Sequence, residues 1–297
     1  MATTILIAGG TGNLGGRIIR ELLHRGAEVR ALVRPSSDDK KVEELKQQGV
    51  QIVETDMTDV AKLTKACEGV ACVISAVQGL RDVLVDTQAR LLDAAIAAGV
   101  PRFIPSDFAS DFTKQADGEN RNFDLRREFM RHIDTKPIQA TSILNGAFAD
   151  MLLYDMPLLD FKKKQVAYWE DANWRIDFTT MDNTAAYTAA AALAPSTPRI
   201  LRIASFQISP GELAAAAQEV MHEPFELVRL GDLENLAAYN QRERAAHPEG
   251  EQEVYPRWQQ SQYMQSMFTV QNETLDNDRY PDMHWTSIQT LLSSRRQ

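Results

Sequence analysis

The chain alternates short apolar runs with stretches whose apolar residues recur every three to four positions. Thr4–Ala8 (TILIA) is a continuous apolar run, the pattern of a parallel strand buried on both faces. Over 13–25 the period changes. Leu14, Ile18, Ile19, Leu22 and Leu23 share one helical face, and Gly26 follows as a stop signal. The cycle then repeats. Glu28–Val33, 50–54, 71–76 and 102–105 read as strands, and 40–48, 60–68 and 83–98 read as helices ending at Gly49, Gly69 and Gly99. A further helix is expected over 123–134 and a sixth strand over 139–144. Strands alternating with helices in short cycles predict an α/β fold, a Rossmann-type doubly wound parallel sheet.

After 144 the alternation stops. Aromatic, irregular stretches at 154–161, 168–178 and 226–230 are interrupted by helices over 184–193 and Pro210–Met221, with Asp182 expected to cap the first. The segment 240–258 (NQRERAAHPEGEQEVYPRW) is polar and reads as a surface loop.

The first strand-to-helix turn carries five glycines in nine residues, 8-AGGTGNLGG-16. Both GxGxxG (Gly10, Gly12, Gly15) and GxxGxxG (Gly9, Gly12, Gly15) fit it. In such a sheet this turn receives the diphosphate of a dinucleotide, on free N–H groups at the positive end of the helix dipole. Gly9, Gly10, Thr11, Gly12, Asn13, Leu14 and Gly15 are therefore candidate cofactor contacts. The competing reading is a tight βα turn and nothing more. The acidic residue that binds an NAD ribose belongs at the end of the second strand, roughly twenty residues past the glycines. Arg34 stands there instead, with Lys40 and Lys41 close behind. An arginine clamps a 2′-phosphate through parallel charge-assisted hydrogen bonds, so the pattern predicts NADP(H) over NAD(H). Asp56, after the third strand, is either an adenine contact or a cap for the helix that follows.

Composition narrows the partners. The net charge is −9, which offers no basic field to nucleic acid or an anionic membrane. Cys67 and Cys72 form no CxxC, and the five histidines show no ligand pairing, so no metal and a reducing, cytoplasmic compartment are expected. No apolar run approaches the ~18 residues of a membrane span. Monomer and homodimer both remain open.

The GGTGNLG turn, the 34-RPSSDDKK-41 loop, the 101-PRFIPSDF-108 segment and the 280-YPDMHWTSIQTLL-292 tail together resemble the NmrA-like and isoflavone-reductase-like family of atypical short-chain dehydrogenase/reductases. The resemblance is nearest to the phenylpropanoid reductases and runs through nearly the whole chain. It implies an NADP-binding Rossmann domain over 1–150 and a mainly substrate-binding domain over 151–297. The boundary is soft, strands can be exchanged across it, and the implied site is a cleft between the parts. It implies NADPH-dependent reduction of a small aromatic or phenolic substrate. The alternative within the family is an NADP(H)-binding redox sensor that regulates a partner.

The residues qualify this picture. No tyrosine is followed four positions later by lysine, the usual pair of short-chain reductases. The lysine that the resemblance implies, three residues after a phenylalanine, is matched here by Arg126 after Phe123. An arginine stays charged and is no practical general base. Arg126 can hold the nicotinamide ribose, stabilise a developing oxyanion, or be an ordinary solvent-facing helix arginine. Arg127 and Lys114 are weaker substitutes. Ser75, Ala76 and Gln78 after the fourth strand, Ser106 after the fifth and Asn145 after the sixth are candidate cofactor contacts; Phe108 and Phe148 are candidate substrate contacts. Tyr168, Trp169 and Trp174 line either an aromatic pocket or the core.

Overall fold

The structure is a computed structural model that describes residues 2–154 and 156–296. Six strands form one wholly parallel sheet: β1 (Thr4–Ala8), β2 (Glu28–Val33), β3 (Gln51–Glu54), β4 (Cys72–Ser75), β5 (Arg102–Ile104) and β6 (Gln139–Ala140). Their spatial order is β3-β2-β1-β4-β5-β6. That is the doubly wound order, and the direction of connection reverses between β1 and β4. The strand β1 is apolar because it lies between two covered faces: Ile5, Leu6 and Ile7 have no exposed surface. Helices α1 (Asn13–His24), α2 (Asp39–Gln47), α3 (Val60–Cys67), α4 (Gln88–Ala97) and α5 (Arg121–Ile133) supply the crossovers. Leu63, Leu91, Leu92 and Phe129 bury against Leu6, Val73 and Phe103.

The chain makes two compact units, and passes between them several times. One holds residues up to Phe108 together with Leu125–Ile143 and Thr184–Leu201; the other holds Ala109–Asp124, Leu144–Asn183 and the chain from Arg202 onward.

Two elements depart from the periodicity. The helix read over 83–98 opens with a π-helical stretch, Asp82–Thr87, before α4 begins. The Thr87 hydroxyl donates to the carbonyl of Asp82 across this wider turn, at 2.8 Å. The strand read over 139–144 is two strands. Gln139–Ala140 extends the sheet beside β5, and Ser142–Leu144 leaves it to pair with Ile200–Arg202. The break falls at Thr141, whose hydroxyl donates to Pro198 O at 3.0 Å.

In the second unit, the stretches read as irregular contain short strands. Gln165–Trp169 lies between Leu159–Asp160 and Glu226–Gly231, and Ile176–Thr179 lies between Phe206–Ile208 and Ala147–Phe148. The helix expected to start at 184 starts at Met181. Its cap is Thr180, whose Oγ1 accepts from Asn183 N at 3.1 Å, while Asp182 sits in the first turn. Asp150 Oδ2 takes the N–H of Met181 at 2.7 Å.

The polar stretch 240–258 is not a loop. It continues the helix Leu233–Ala246, forms a 3₁₀ turn over Pro248–Gln252 and enters the helix Arg257–Thr269. Its charges pair with one another. Arg121 and Arg244 lie over the ring of Trp258, at 4.7 and 5.1 Å from its centroid. Arg244 Nε bonds Glu251 at 2.6 Å, and Arg121 donates to the carbonyls of Gly250, Glu253 and Val254. Trp258 is only 2% exposed. Deleting its ring removes this packing and both cation–π contacts at once. Trp258→Ala is expected to cost about 3–5 kcal/mol in urea unfolding, and a loss under about 1 kcal/mol would show that the two arginines hold the turn without it.

Candidate functional site

The candidate residues of the first unit gather at the carboxyl ends of neighbouring strands. At the end of β1, Gly9 has a φ of +88°. A Cβ there would overlap the carbonyl of Ala76 at the end of β4. Gly10 packs under Ile19, whose Cδ1 would lie 2.7 Å from an added Cβ. At Gly15 a Cβ would overlap the carbonyl of Gly9. Gly9 and Gly15 are thus required by close approach of backbone to backbone, while at Gly10 the contact is the flexible end of a side chain. Gly12 is different. It is exposed, and an added Cβ would meet only Gly9 O, at 3.1 Å. It is also the N-cap of α1, and no side chain caps that helix. The N–H groups of the first turn are therefore left for another acceptor. Thr11 and Leu14 are half-buried, and Asn13 is exposed and accepts from Arg17 Nε at 2.9 Å.

Arg34 follows β2 in a tight turn. Ser37 N donates to Arg34 O at 2.9 Å, and Ser37 Oγ accepts from Arg34 N at 3.1 Å. Asp38 then caps α2 by accepting from the backbone of Lys40 and Lys41. Ser37 and Asp38 spend their side chains on backbone N–H groups and not on the Arg34 guanidinium, and Arg34 and Lys41 are both exposed. Asp56 is exposed too. Its carboxylate accepts from the Thr58 hydroxyl at 2.7 Å and the Thr58 N–H at 2.9 Å, bonds that hold it below the usual carboxylate range. The cap of α3 is Asp59, not Asp56.

Ser75 ends β4 with no exposed surface, and its hydroxyl has no hydrogen-bond partner. Ala76 follows against Gly9, and Gln78 is exposed in the loop. Ser106 is committed elsewhere: its hydroxyl donates to Val77 O at 2.6 Å and its N–H to Gln88 Oε1 at 2.9 Å. These bonds tie the loop after β5 to the loop after β4 and to the start of α4. Phe108 is 7% exposed. Arg126 lies in the second turn of α5, half-buried, with its Nε out of solvent, so it does not face solvent along its length. Arg127 is buried, and Lys114 donates to Gln271 O at 2.7 Å in the second unit.

The second unit carries Asn145 and the half-buried Phe148. The backbone of Asn145 is fixed by Thr179 Oγ1, which donates to Asn145 O at 2.6 Å, and by Gly146, whose φ of +64° brings it against Asp177 O. Its side chain has no exposure, and neither its Oδ1 nor its Nδ2 has a hydrogen-bond partner. A buried amide with both functions idle costs free energy until something pairs with it.

Asp107 is the residue whose weight the sequence does not reveal. It has no exposed surface, and burial raises its carboxyl above the ordinary range, opposed by the Ser142 hydroxyl and the charges of Arg126 and Arg199. The available signal was an acid in an apolar strand end, PSDF. Cys67 and Cys72 are free and buried, their thiols pushed up by burial to about 11 and about 12, which leaves them unreactive. Among the described residues, no three His, Cys, Asp or Glu side chains cluster for a metal, and no helix is long and apolar enough to cross a membrane.

Comparison with known proteins adds to this geometry. Pinoresinol reductase 2 of Arabidopsis thaliana is 33% identical over 201 residues, 63% of this chain and 63% of that protein. The chain thus matches less than two thirds of that relative's length. A bifunctional pinoresinol-lariciresinol reductase of Linum album is 27% identical over 311 residues, 97% of this chain and 93% of that protein. A solved structure described as AtPrR2 with NADP+ and (+)pinoresinol is 25% identical and superposes with a TM-score of 0.80, over 99% of both chains. An isoflavone reductase crystal structure superposes with a TM-score of 0.81 at 22% identity, over 99% of both chains, which is a likeness of fold. The NmrA-like family model matches residues 1–277, from the glycine turn through both compact units, and the chain belongs to the NmrA-like family.

Proposed function

We propose that this chain is an NADPH-dependent reductase of a small aromatic or phenolic compound, of phenylpropanoid, isoflavone or lignan type. The observation that carries the reading is the pairing of an uncapped helix start at Gly12 with an exposed arginine at the end of β2. The reductase names of the relatives point the same way.

The residues fit the dinucleotide. The turn over Gly9–Gly15 and the first N–H groups of α1 would hold the diphosphate. Arg34, with Lys41 beside it, would hold the 2′-phosphate. Asp56 would stand near the adenine. Ser75, with an idle hydroxyl, and Ala76 and Gln78 would line the path of the nicotinamide half, and Ser106 would support it. The idle amide of Asn145 would pair with the carboxamide, donor to acceptor and acceptor to donor. When bound, the cofactor supplies a hydride; the protein supplies orientation and charge. Phe108 and Phe148 would contact the aromatic substrate. Arg126 would stabilise negative charge as it develops on the substrate oxygen, but cannot release a proton. The proton would come from water or from the phenol of the substrate.

The experiment is a fluorescence titration with NADPH and NADH, followed by addition of pinoresinol to the NADPH complex. Tight NADPH binding with oxidation on adding pinoresinol supports the enzyme. A second reading, an NADP(H)-binding regulator without chemistry, is favoured by Arg126 standing where the family resemblance implies lysine. Binding without oxidation across a panel of phenolic probes would replace the first reading by the second.

Asn145 gives an independent check. Asn145→Leu is expected to stabilise the free protein by about 1–2 kcal/mol, since the buried amide has no partner to lose. The same change is expected to weaken NADPH binding about tenfold. Destabilisation of the free protein with unchanged NADPH binding would remove Asn145 from the cofactor site.

A further inference from the structure

The backbone around Asn145 is fixed by one strand, Ile176–Thr179. Thr179 Oγ1 donates to Asn145 O at 2.6 Å, and two residues earlier Asp177 lies against Gly146. Residues two apart in a strand point to one face, so the Thr179 hydroxyl and the Asp177 carboxylate leave it on the same side. A Cβ on Gly146 would overlap Asp177 O and stand 2.7 Å from Asp177 Cβ. The strand then pairs with the residues that follow, Phe178 with Ala147 and Thr179 with Phe148. The backbone that carries Asn145 and Phe148 therefore goes where Ile176–Thr179 goes.

Asp177 anchors that strand. It is 4% exposed. Its Oδ1 accepts from Gln207 Nε2 at 2.6 Å, and its Oδ2 accepts from the N–H of Asn272 at 3.1 Å and from Asn272 Nδ2 at 2.9 Å. Gln207 Nε2 also donates to Asn272 O, at 2.7 Å. None of these donors is charged. The compensating charge acts through one peptide group. The peptide joining Gln271 to Asn272 gives its N–H to Asp177 and accepts from Lys114 Nζ on its carbonyl, at 2.7 Å. The carbonyl and N–H of a trans peptide point opposite ways. Ammonium and carboxylate thus stand at the matching ends of one dipole, and each strengthens the other's bond. Burial raises the Asp177 carboxyl above the ordinary range, opposed by the bonds from Gln207 and Asn272 and by the charge of Lys114. All of these residues belong to the second unit.

We propose that Asp177 is a positioning residue for the carboxamide of the cofactor: bonded to Gln207 and Asn272, and to Lys114 through the 271–272 peptide, it fixes the strand that places Asn145. This rests on the reading of Asn145 as the partner of that carboxamide. It also gives Lys114 a role other than that of a substitute for the missing lysine, since its ammonium holds a peptide of this anchor. The carboxylate is needed as an acceptor. Its three hydrogen bonds all come from N–H groups, so an amide in its place turns an NH2 toward one of them. Asp177→Asn keeps the size of the side chain and loosens the anchor.

The test is a double-mutant cycle on the full chain: Asp177→Asn, Asn145→Leu and the double variant. Each is titrated with NADPH and with 2′,5′-ADP, which carries the 2′-phosphate and lacks the nicotinamide. Asp177→Asn is expected to weaken NADPH about fivefold or more and to leave 2′,5′-ADP within about twofold. In the Asn145→Leu background the same change is expected to cost NADPH less than about twofold, because the amide it positions is gone. Trp258→Ala is the control for a merely structural role. It lowers the urea midpoint in the same unit and should leave the ratio of the two affinities unchanged. Equal loss of both ligands in Asp177→Asn, an undiminished loss in the Asn145→Leu background, or a ratio moved as far by Trp258→Ala overturns the proposal. If Asp177→Asn fails to fold, Lys114→Met takes its place in the cycle. It is expected to weaken NADPH about threefold, again only while Asn145 is present, and unchanged NADPH binding overturns the proposal. The two readings fail separately. Asn145→Leu with full NADPH affinity removes Asn145 from the cofactor site and the proposal with it. Asn145→Leu that weakens NADPH, beside an Asp177→Asn that does not, removes the proposal alone.

Discussion

Arg34→Ala is expected to abolish the preference for NADPH over NADH while leaving the protein as stable as before. The guanidinium is exposed, and the turn that carries it is built from the backbone bonds of Arg34 and Ser37 and the capping bonds of Asp38. Among the described residues no hydrogen bond or ion pair to the guanidinium is seen, so unfolding should change by no more than about 0.5 kcal/mol. Binding is another matter. A charge-assisted contact to a phosphate contributes about 1.5–3 kcal/mol, which is roughly ten- to a hundredfold in affinity. NADPH affinity should fall by that factor, and NADH affinity should stay within about twofold. Lys41 is exposed one turn into α2 and is expected to retain a fraction of the preference, so Arg34→Ala combined with Lys41→Ala should bring the two cofactors level. A fluorescence titration of both nucleotides reads the result. Parallel loss of NADPH and NADH binding would place Arg34 elsewhere in the site and remove the argument for the 2′-phosphate.

The glycines of the first turn should separate into two groups when each is changed to alanine. Gly9→Ala meets a φ of +88° and the carbonyl of Ala76 together. A left-handed alanine costs roughly 1–2 kcal/mol and an overpacked contact roughly 1–3, so a loss of about 2–5 kcal/mol is expected. Gly15→Ala has no φ penalty, but its methyl would overlap the Gly9 carbonyl, and both atoms belong to backbone that cannot swing aside. About 1–3 kcal/mol or more is expected there. Gly12→Ala has no φ penalty and a milder contact, its nearest atom being Gly9 O at 3.1 Å. It should lose less stability than either and still bind NADPH roughly tenfold or more weakly, because its methyl would stand where the diphosphate is proposed to rest. Gly26→Ala is the control, with a φ of +78° and nothing within 4 Å of the added methyl. Urea unfolding and NADPH titration on the four variants give the pattern. Gly12→Ala with full NADPH affinity would leave the turn as architecture and remove the diphosphate from it.

The two experiments rest on features of unequal legibility. The position of Arg34 follows from counting along the chain, because a strand that ends in Val33 must present the next residue at the sheet edge. The separate reasons for the glycines do not follow from the motif. GxGxxG reads the same whether a glycine serves a ligand or a neighbouring carbonyl. Here Gly9 and Gly15 answer to Ala76 and to one another, and Gly12 meets only the milder contact with Gly9 O at 3.1 Å.

The same limit explains the other differences. The run 139–144 has one apolar pattern, and nothing in it marks where β6 hands over to a second ladder. That point is set by residues more than fifty positions away, Arg199 and Pro198, which take the N–H of Ser142 and the hydroxyl of Thr141. The stretch 240–258 reads as solvated because its charges are counted singly. Its Arg244 is paired with Glu251 and stacked on Trp258, with Arg121 arriving from over a hundred residues earlier. Asp182 and Thr180 are both good caps by type, and in the fold Thr180 takes the N–H of Asn183 while Asp150, from another segment, takes that of Met181.

What the sequence determined by itself was everything carried by local period and spacing. It specified alternating strands and helices, a glycine turn between the first of each, an arginine where an acid would select NAD, and a family membership extending through both units. Tertiary structure alone decided which polar groups are left wanting. Ser75 and Asn145 are ordinary residues in the chain, and become a hydroxyl and an amide without partners only when the fold removes them from water. Asp107 is one acid among many until burial raises its pKa and the Ser142 hydroxyl, itself held by Arg199, donates to it. Backbone preference is a property of neighbours in sequence; desolvation and charge compensation are properties of neighbours in space.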